Sequence, residues 1–381
     1  MTKIICNDIM KPTKRKVKFS MEFFNTYTSN TVAGSGSQSF FENENENEIQ
    51  TSRTFYKVFS GGEYTYSFLF SNILDSTFAD GSHSHKNMII DAWTIVDAKV
   101  GISKACSENS FEEPYVTYAL TFDKKQTKTV NPGEFFSTDP VRLAPKKDEY
   151  ICIEMSFKGK FIPYHPESII PSFVLSDGEW TPSKLHPFAG MIGCDRPVEK
   201  KIGFLGDSIT QGIGTAVNSY AHWNSVVAQN LGEQYAYWNL GLGFGRADDA
   251  ASDGAWLYKA KQNDIVVLCY GVNDILQGFA EETIKKNLEA IVNTLTKSGV
   301  RVILQTVPPF DYSGEFINIW NNVNDFIKNT LSDKVDLVFD CVKYLQKSEN
   351  EPHMAGYGGH PDEVGCKIWG ENLYRAIKEV L

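Results

Sequence analysis

From about residue 200 to the last residue, short apolar runs alternate five times with stretches of helical period. The runs at residues 201–205, 235–240, 264–270, 301–307 and 335–339 show little polar alternation, as strands covered on both faces require. Between and after them, residues 219–231, 281–297, 314–331 and 361–380 read as helices. The second of these is apolar at Ile284, Leu288, Ile291, Val292 and Leu295 and is stopped by Gly299. Asn218 or Ser219 is expected to cap the first helix and Gly232 to end it. Pro361 suits the first position of the last helix, with Glu363 in its acidic-favoured first turn. Such alternation predicts a doubly wound parallel sheet with helices on both faces.

Upstream the texture is different. Residues 51–175 carry β-rich runs separated by turn formers such as Gly61-Gly62, Asn131-Pro132-Gly133 and Asp139-Pro140, with no helical pattern between them. An antiparallel β-sandwich is expected, its many aromatics mostly core. Residues 1–50, with the alternating run Glu42 to Glu48, read as a flexible surface segment. Residues 175–199, rich in Gly, Pro and polar side chains, read as a linker. The expected organisation is residues 1–50, a sandwich over 51–196 and an α/β domain over 197–381. His83 and His85 could share one face of an extended segment, but with no third ligand in the sequence a solvated loop is the simpler reading.

Length agrees with two domains, since 381 residues exceeds one typical domain. The formal charge of −10 argues against nucleic acid or an anionic membrane as a partner. No run approaches the roughly 18 apolar residues of a membrane span, and residues 1–16 lack the apolar core of a signal peptide. The seven cysteines are scattered, with no metal-ligand spacing. These features lead to the expectation of a reduced, cytoplasmic protein without a bound metal.

The first apolar run ends abruptly in Gly206-Asp207-Ser208. Open α/β sheets bind ligands outside the carboxyl ends of their strands, so Ser208 is a candidate nucleophile there. Ser and Asp also cap helices, and by itself the stretch fits either role. Other loops at the same edge carry complementary groups. After the second run comes the glycine-rich 241–245 loop, able to aim a bare backbone N–H into a site. After the third comes Gly271-Val272-Asn273-Asp274, with a side-chain amide. Just before the last helix lies His360, in Gly359-His360-Pro361. Acyl transfer needs a nucleophile, a base and donors to an oxyanion, and these loops supply each of them.

In this order the blocks Gly206-Asp207-Ser208-Ile209-Thr210, the glycine loop, Gly271-Val272-Asn273-Asp274 and His360-Pro361 resemble the SGNH (GDSL-type) serine hydrolases. Residues 131–140 are similar to the β-sandwich module that precedes the hydrolase domain in some bacterial members. The resemblance implies a flavodoxin-like three-layer sheet and a cofactor-independent esterase. Ser208 would be nucleophile, His360 the base, and the Ser208 N–H, a loop glycine N–H and the Asn273 side chain the oxyanion hole. The family's glycine position falls on Phe244; Gly245 is the expected donor, with Gly243 the alternative. Where the family has an orienting Asp, this chain has Tyr357, so either a Ser–His dyad operates or Asp340 or Glu351 supplies the acid. By the same resemblance the substrate is a short-chain ester, acetyl first, on a small molecule or an oligosaccharide, with lipid or thioester hydrolysis, or sugar binding without catalysis, as the alternatives.

Overall fold

The structure, a computed structural model, describes residues 22–34, 36–74 and 88–381; His83 and His85 lie outside the described residues. Five parallel strands, Lys200–Gly206, Tyr235–Gly241, Ile265–Cys269, Arg301–Gln305 and Leu337–Phe339, form one sheet. In space the second strand lies outside the first and the rest follow on the other side. That is the flavodoxin-like 2-1-3-4-5 order, whose reversal point lies between the first and third strands. The Ile265–Cys269 strand is buried throughout, which explains its unbroken apolar run. On one face, Trp223 of the Trp223–Leu231 helix stacks on Trp369 of the Glu363–Lys378 helix, with ring centroids 5.2 Å apart. The Glu281–Lys297 helix covers the sheet through the five apolar residues named above.

The first helix begins later than its sequence suggests. Asn218 (φ 64°) and Tyr220 (φ 52°) adopt left-handed backbone, which a helix cannot propagate, and His222 is the cap. Asn218 is held there by donating to the Cys106 carbonyl (2.7 Å) and the Tyr150 hydroxyl (2.9 Å), both in the β-rich region. At the last helix the cap is Asp362, which accepts from the Gly365 N–H at 2.8 Å, so Pro361 precedes the helix.

The β-rich region is antiparallel. One sheet runs Thr28–Ser29, Met191–Cys194, Tyr64–Ser71, Phe135–Ser137; the other runs Glu179–Pro182, Ser172–Ser176, Gln50–Lys57, Tyr150–Lys158, Trp93–Ser103, Val116–Ala119. Side chains of both, including Phe68, Phe70, Ile95 and Ile151, share one core. Two expectations fail here. The supposed linker contains strands: Asp177-Gly178 is a two-residue hairpin turn with φ of 51° and 84°, and Met191–Cys194 pairs with Tyr64–Ser71. Part of the supposed flexible segment is likewise packed, although Glu44 to Ile49 do lie exposed at the surface. Phe23 and Phe24 are buried, the latter with its ring 5.8 Å from that of Trp238 on the parallel sheet. Turn-forming composition concealed strands whose stability comes from distant partners.

Candidate active site

Ser208 lies in the single helical turn Ser208–Gln211 that leaves the first parallel strand. Asp207 caps it, accepting from the Ile209 N–H at 3.0 Å. The two readings of Asp-Ser thus divide between the residues: Asp207 caps, and Ser208 points elsewhere. Gly206 is needed for space, since a Cβ there would strike the Thr210 hydroxyl and the Cys269 carbonyl. Ser208 Oγ lies 2.7 Å from His360 Nε2, across 152 residues of chain. Burial alone lowers the pKa of His360, favouring the neutral imidazole. A hydroxyl bonded to a neutral imidazole can pass its proton to the ring as the oxygen attacks a carbonyl.

Asn273 follows the third strand and donates its side-chain amide to the Gly245 carbonyl at 2.9 Å. Beside it, Asp274 accepts from the Ala247 and Asp248 N–H groups at 2.9 and 3.3 Å, holding the start of the Ala247–Ala251 helix. Asp207 and Asp274 are both buried. Burial pushes Asp207 up to about 7, with the nearby Asp274 adding to the shift, and pushes Asp274 up to about 6. Both carboxyls have backbone donors, as buried polar groups require.

In the glycine loop both expected donors have acceptors of their own. Gly245 gives its N–H to the Leu242 carbonyl at 3.1 Å, and Gly243 gives its own to Gln211 Oε1 at 2.7 Å. Each glycine N–H therefore already serves the loop's own geometry. Between them Phe244 has φ 58°, the left-handed region that glycine normally occupies.

Neither candidate acid reaches His360. Asp340 accepts from the Thr306 hydroxyl at 3.2 Å and lies 3.7 Å from Lys343 Nζ. Glu351 sits on the hairpin Gln346–Ser348/Glu351–Ala355 and pairs with Lys347 at 3.4 Å. Tyr357 donates its hydroxyl to the Pro309 carbonyl at 3.3 Å, while its ring lies against Gly365 of the last helix. Among the described residues, His360 hydrogen-bonds only Ser208. Its ring is held by packing, with the Phe310 ring edge-on at 5.4 Å and Gly214 close against its Cβ. Asp340→Asn and Glu351→Gln should each keep kcat within about twofold of wild type in an ester-hydrolysis assay, since neither touches the Ser–His pair.

Residues 204–368 match the model of the GDSL-like Lipase/Acylhydrolase family. Over these residues the chain is similar to that family. The GDSL-type region also resembles solved structures at low identity. A member of the lipolytic protein G-D-S-L family from Veillonella parvula DSM 2008 is 18% identical (TM-score 0.38), covering 47% of this chain and 98% of its own. An acetyl xylan esterase, AlAXEase, is 23% identical (TM-score 0.38), covering 46% of this chain and 99% of its own. TesA is 22% identical (TM-score 0.40), covering 48% and 99%. No curated protein matches the sequence. Among the described residues, no cluster of three or more His, Cys, Asp or Glu could hold a metal ion, and no helix is long and apolar enough to cross a membrane.

Sequence reasoning missed Gln38, Glu167, Gln211 and Phe310. The first three contact the glycine loop or one another, and Phe310 contacts His360. Gln38 and Gly243 are 205 residues apart, and no local pattern marks such a pair.

Proposed function

We propose that the chain is a cofactor-independent serine esterase that works by a Ser208–His360 dyad through an acyl-enzyme. The observation that carries this reading is the 2.7 Å bond between Ser208 Oγ and His360 Nε2 at the carboxyl edge of a parallel sheet. In the first half-reaction His360 takes the Ser208 proton as Oγ attacks the ester carbonyl. The resulting imidazolium then protonates the departing alcohol. In the second, His360 takes a proton from water, which attacks the acyl-enzyme, and returns it to Ser208 Oγ as the acid leaves.

The tetrahedral oxyanion is assigned to the Ser208 N–H, the Asn273 amide and the loop at Phe244. The first N–H of a helical turn has no acceptor within the helix. The Asn273 amide has two N–H groups and spends one on Gly245. Phe244 stands at the family's glycine position and keeps the left-handed backbone that glycine would provide. Gly245 and Gly243 then serve as supports of the loop.

A short acyl group, acetyl first, on a carbohydrate inside the cell is the proposed substrate. Its support is the sequence resemblance to two-domain members with a leading sandwich. Comparing an acetylated sugar with butyrate, octanoate and thioester substrates tests it; a preference for octanoate or a thioester would favour the lipid or thioester reading.

The dyad has a pH signature. Only neutral imidazole accepts the serine proton, and burial lowers the His360 pKa below the ordinary 6.5. Activity should therefore fall as pH drops through an inflection below 6.5 and stay flat above it until other groups titrate. An inflection above 6.5 in kcat/KM would contradict this assignment.

A further inference from the structure

Gln38 and Glu167 bring the β-rich region onto the glycine loop. Strands Ser39–Glu42 and Phe161–Tyr164 form a two-stranded antiparallel ribbon in which Ser39 opposes Tyr164. Gln38 enters this ribbon at that end and Glu167 follows it by three residues, so both emerge on the same side. There Gln38 Nε2 donates to Glu167 Oε2 at 2.7 Å and to the Gly243 carbonyl at 3.2 Å. From the nucleophile's own helical turn, Gln211 accepts the Gly243 N–H through Oε1 and donates through Nε2 to the Glu167 carbonyl, each at 2.7 Å. Both backbone polar groups of Gly243 are thus held by glutamine amides, one from each half of the chain. The fit leaves no room for a side chain, because a Cβ at Gly243 would collide with Glu167 Oε2.

We propose that Gln38 and Glu167 are positioning residues for ester hydrolysis: the β-rich region sets the conformation of the 241–245 loop and thereby completes the oxyanion site beside Ser208. The proposal rests on the esterase reading. Gln38 and Gln211 are fully buried; Gln211 bonds through both ends of its amide and Gln38 through Nε2 to two acceptors, so the clamp has a defined geometry. The loop it holds carries Phe244 in left-handed backbone, a conformation that needs surroundings to enforce it. Burial also raises the pKa of Glu167, as expected of a carboxyl taken from solvent into this contact. The β-rich region is on this view a structural part of the hydrolytic centre, and not a separate binding module joined to a self-sufficient enzyme.

The test uses the full chain and p-nitrophenyl acetate. Glu167→Ala and Gln38→Ala should each lower kcat by about 10- to 100-fold, the scale of a small misplacement of catalytic groups. KM should stay within about twofold, and the acid-side pH inflection should not move, because neither residue touches His360. Glu167→Gln keeps an oxygen acceptor for Gln38 and should recover most of the lost kcat. Urea unfolding midpoints identify any variant that simply fails to fold, and the other alanine variant then carries the test. Alanine variants that fold and keep kcat within twofold would overturn the proposal while leaving the esterase reading intact. So would a Glu167→Gln kcat as low as that of Glu167→Ala. A wild-type protein inert toward every ester would remove the esterase reading itself, a result distinct from either of these.

Discussion

Ser208→Ala is expected to lower kcat for p-nitrophenyl acetate by about 10⁴-fold or more, with circular dichroism and the unfolding midpoint nearly unchanged. The size follows from losing the atom that forms the bond; what survives is binding and whatever oxyanion stabilisation can do for attack by water. The fold should tolerate the change because the Ser208 side chain has one hydrogen-bond partner, His360, and the helical turn is capped by Asp207. His360→Ala should be almost as damaging. The double variant should be no worse than either single one, because nucleophile and base act as one unit. Additive losses would mean that the two residues work separately, which the dyad does not allow.

Asn273→Ala is expected to lower kcat by about 10²- to 10³-fold with little change in KM, the range for removal of one oxyanion donor. The amide has two tasks. One N–H holds the Gly245 carbonyl, and the other is the proposed donor to the oxyanion. Removal therefore deprives the transition state of a donor and releases the loop that carries Phe244. Neither effect weakens ground-state binding to a comparable degree, so the loss should appear in kcat. A variant that raises KM and spares kcat would place Asn273 in substrate binding instead.

The parallel sheet was open to reading because its chemistry is local. A strand buried on both faces must be apolar throughout, and Ile265–Cys269 is; an amphipathic helix must repeat its apolar face, and Glu281–Lys297 does. The groups at the carboxyl edge of that sheet were visible for the same reason. Ser208, Asn273 and His360 each follow or precede an element that the period reveals. The parts that stayed hidden depend on contacts distant in sequence. Strand Met191–Cys194 looks like a linker until Tyr64–Ser71 supplies its partners. The Trp223–Leu231 helix starts late because Asn218 bonds to Cys106 and Tyr150, more than 60 residues away. The Gly243 and Gly245 N–H groups look available in the sequence, and only their acceptors, Gln211 and Leu242, show that they are engaged. His360 shows the opposite case. With Tyr357 in place of the usual Asp, the chain invites a search for another acid, yet Asp340 and Glu351 are each paired with other groups.

The most direct test of the central claim is to treat the protein with a fluorophosphonate, which bonds covalently to an activated serine, and to map the adduct by mass spectrometry of the digested chain. One adduct per chain on Ser208, formed far more slowly in His360→Ala, is the predicted result. No adduct, or one on a different residue with Ser208 unmodified, would contradict it.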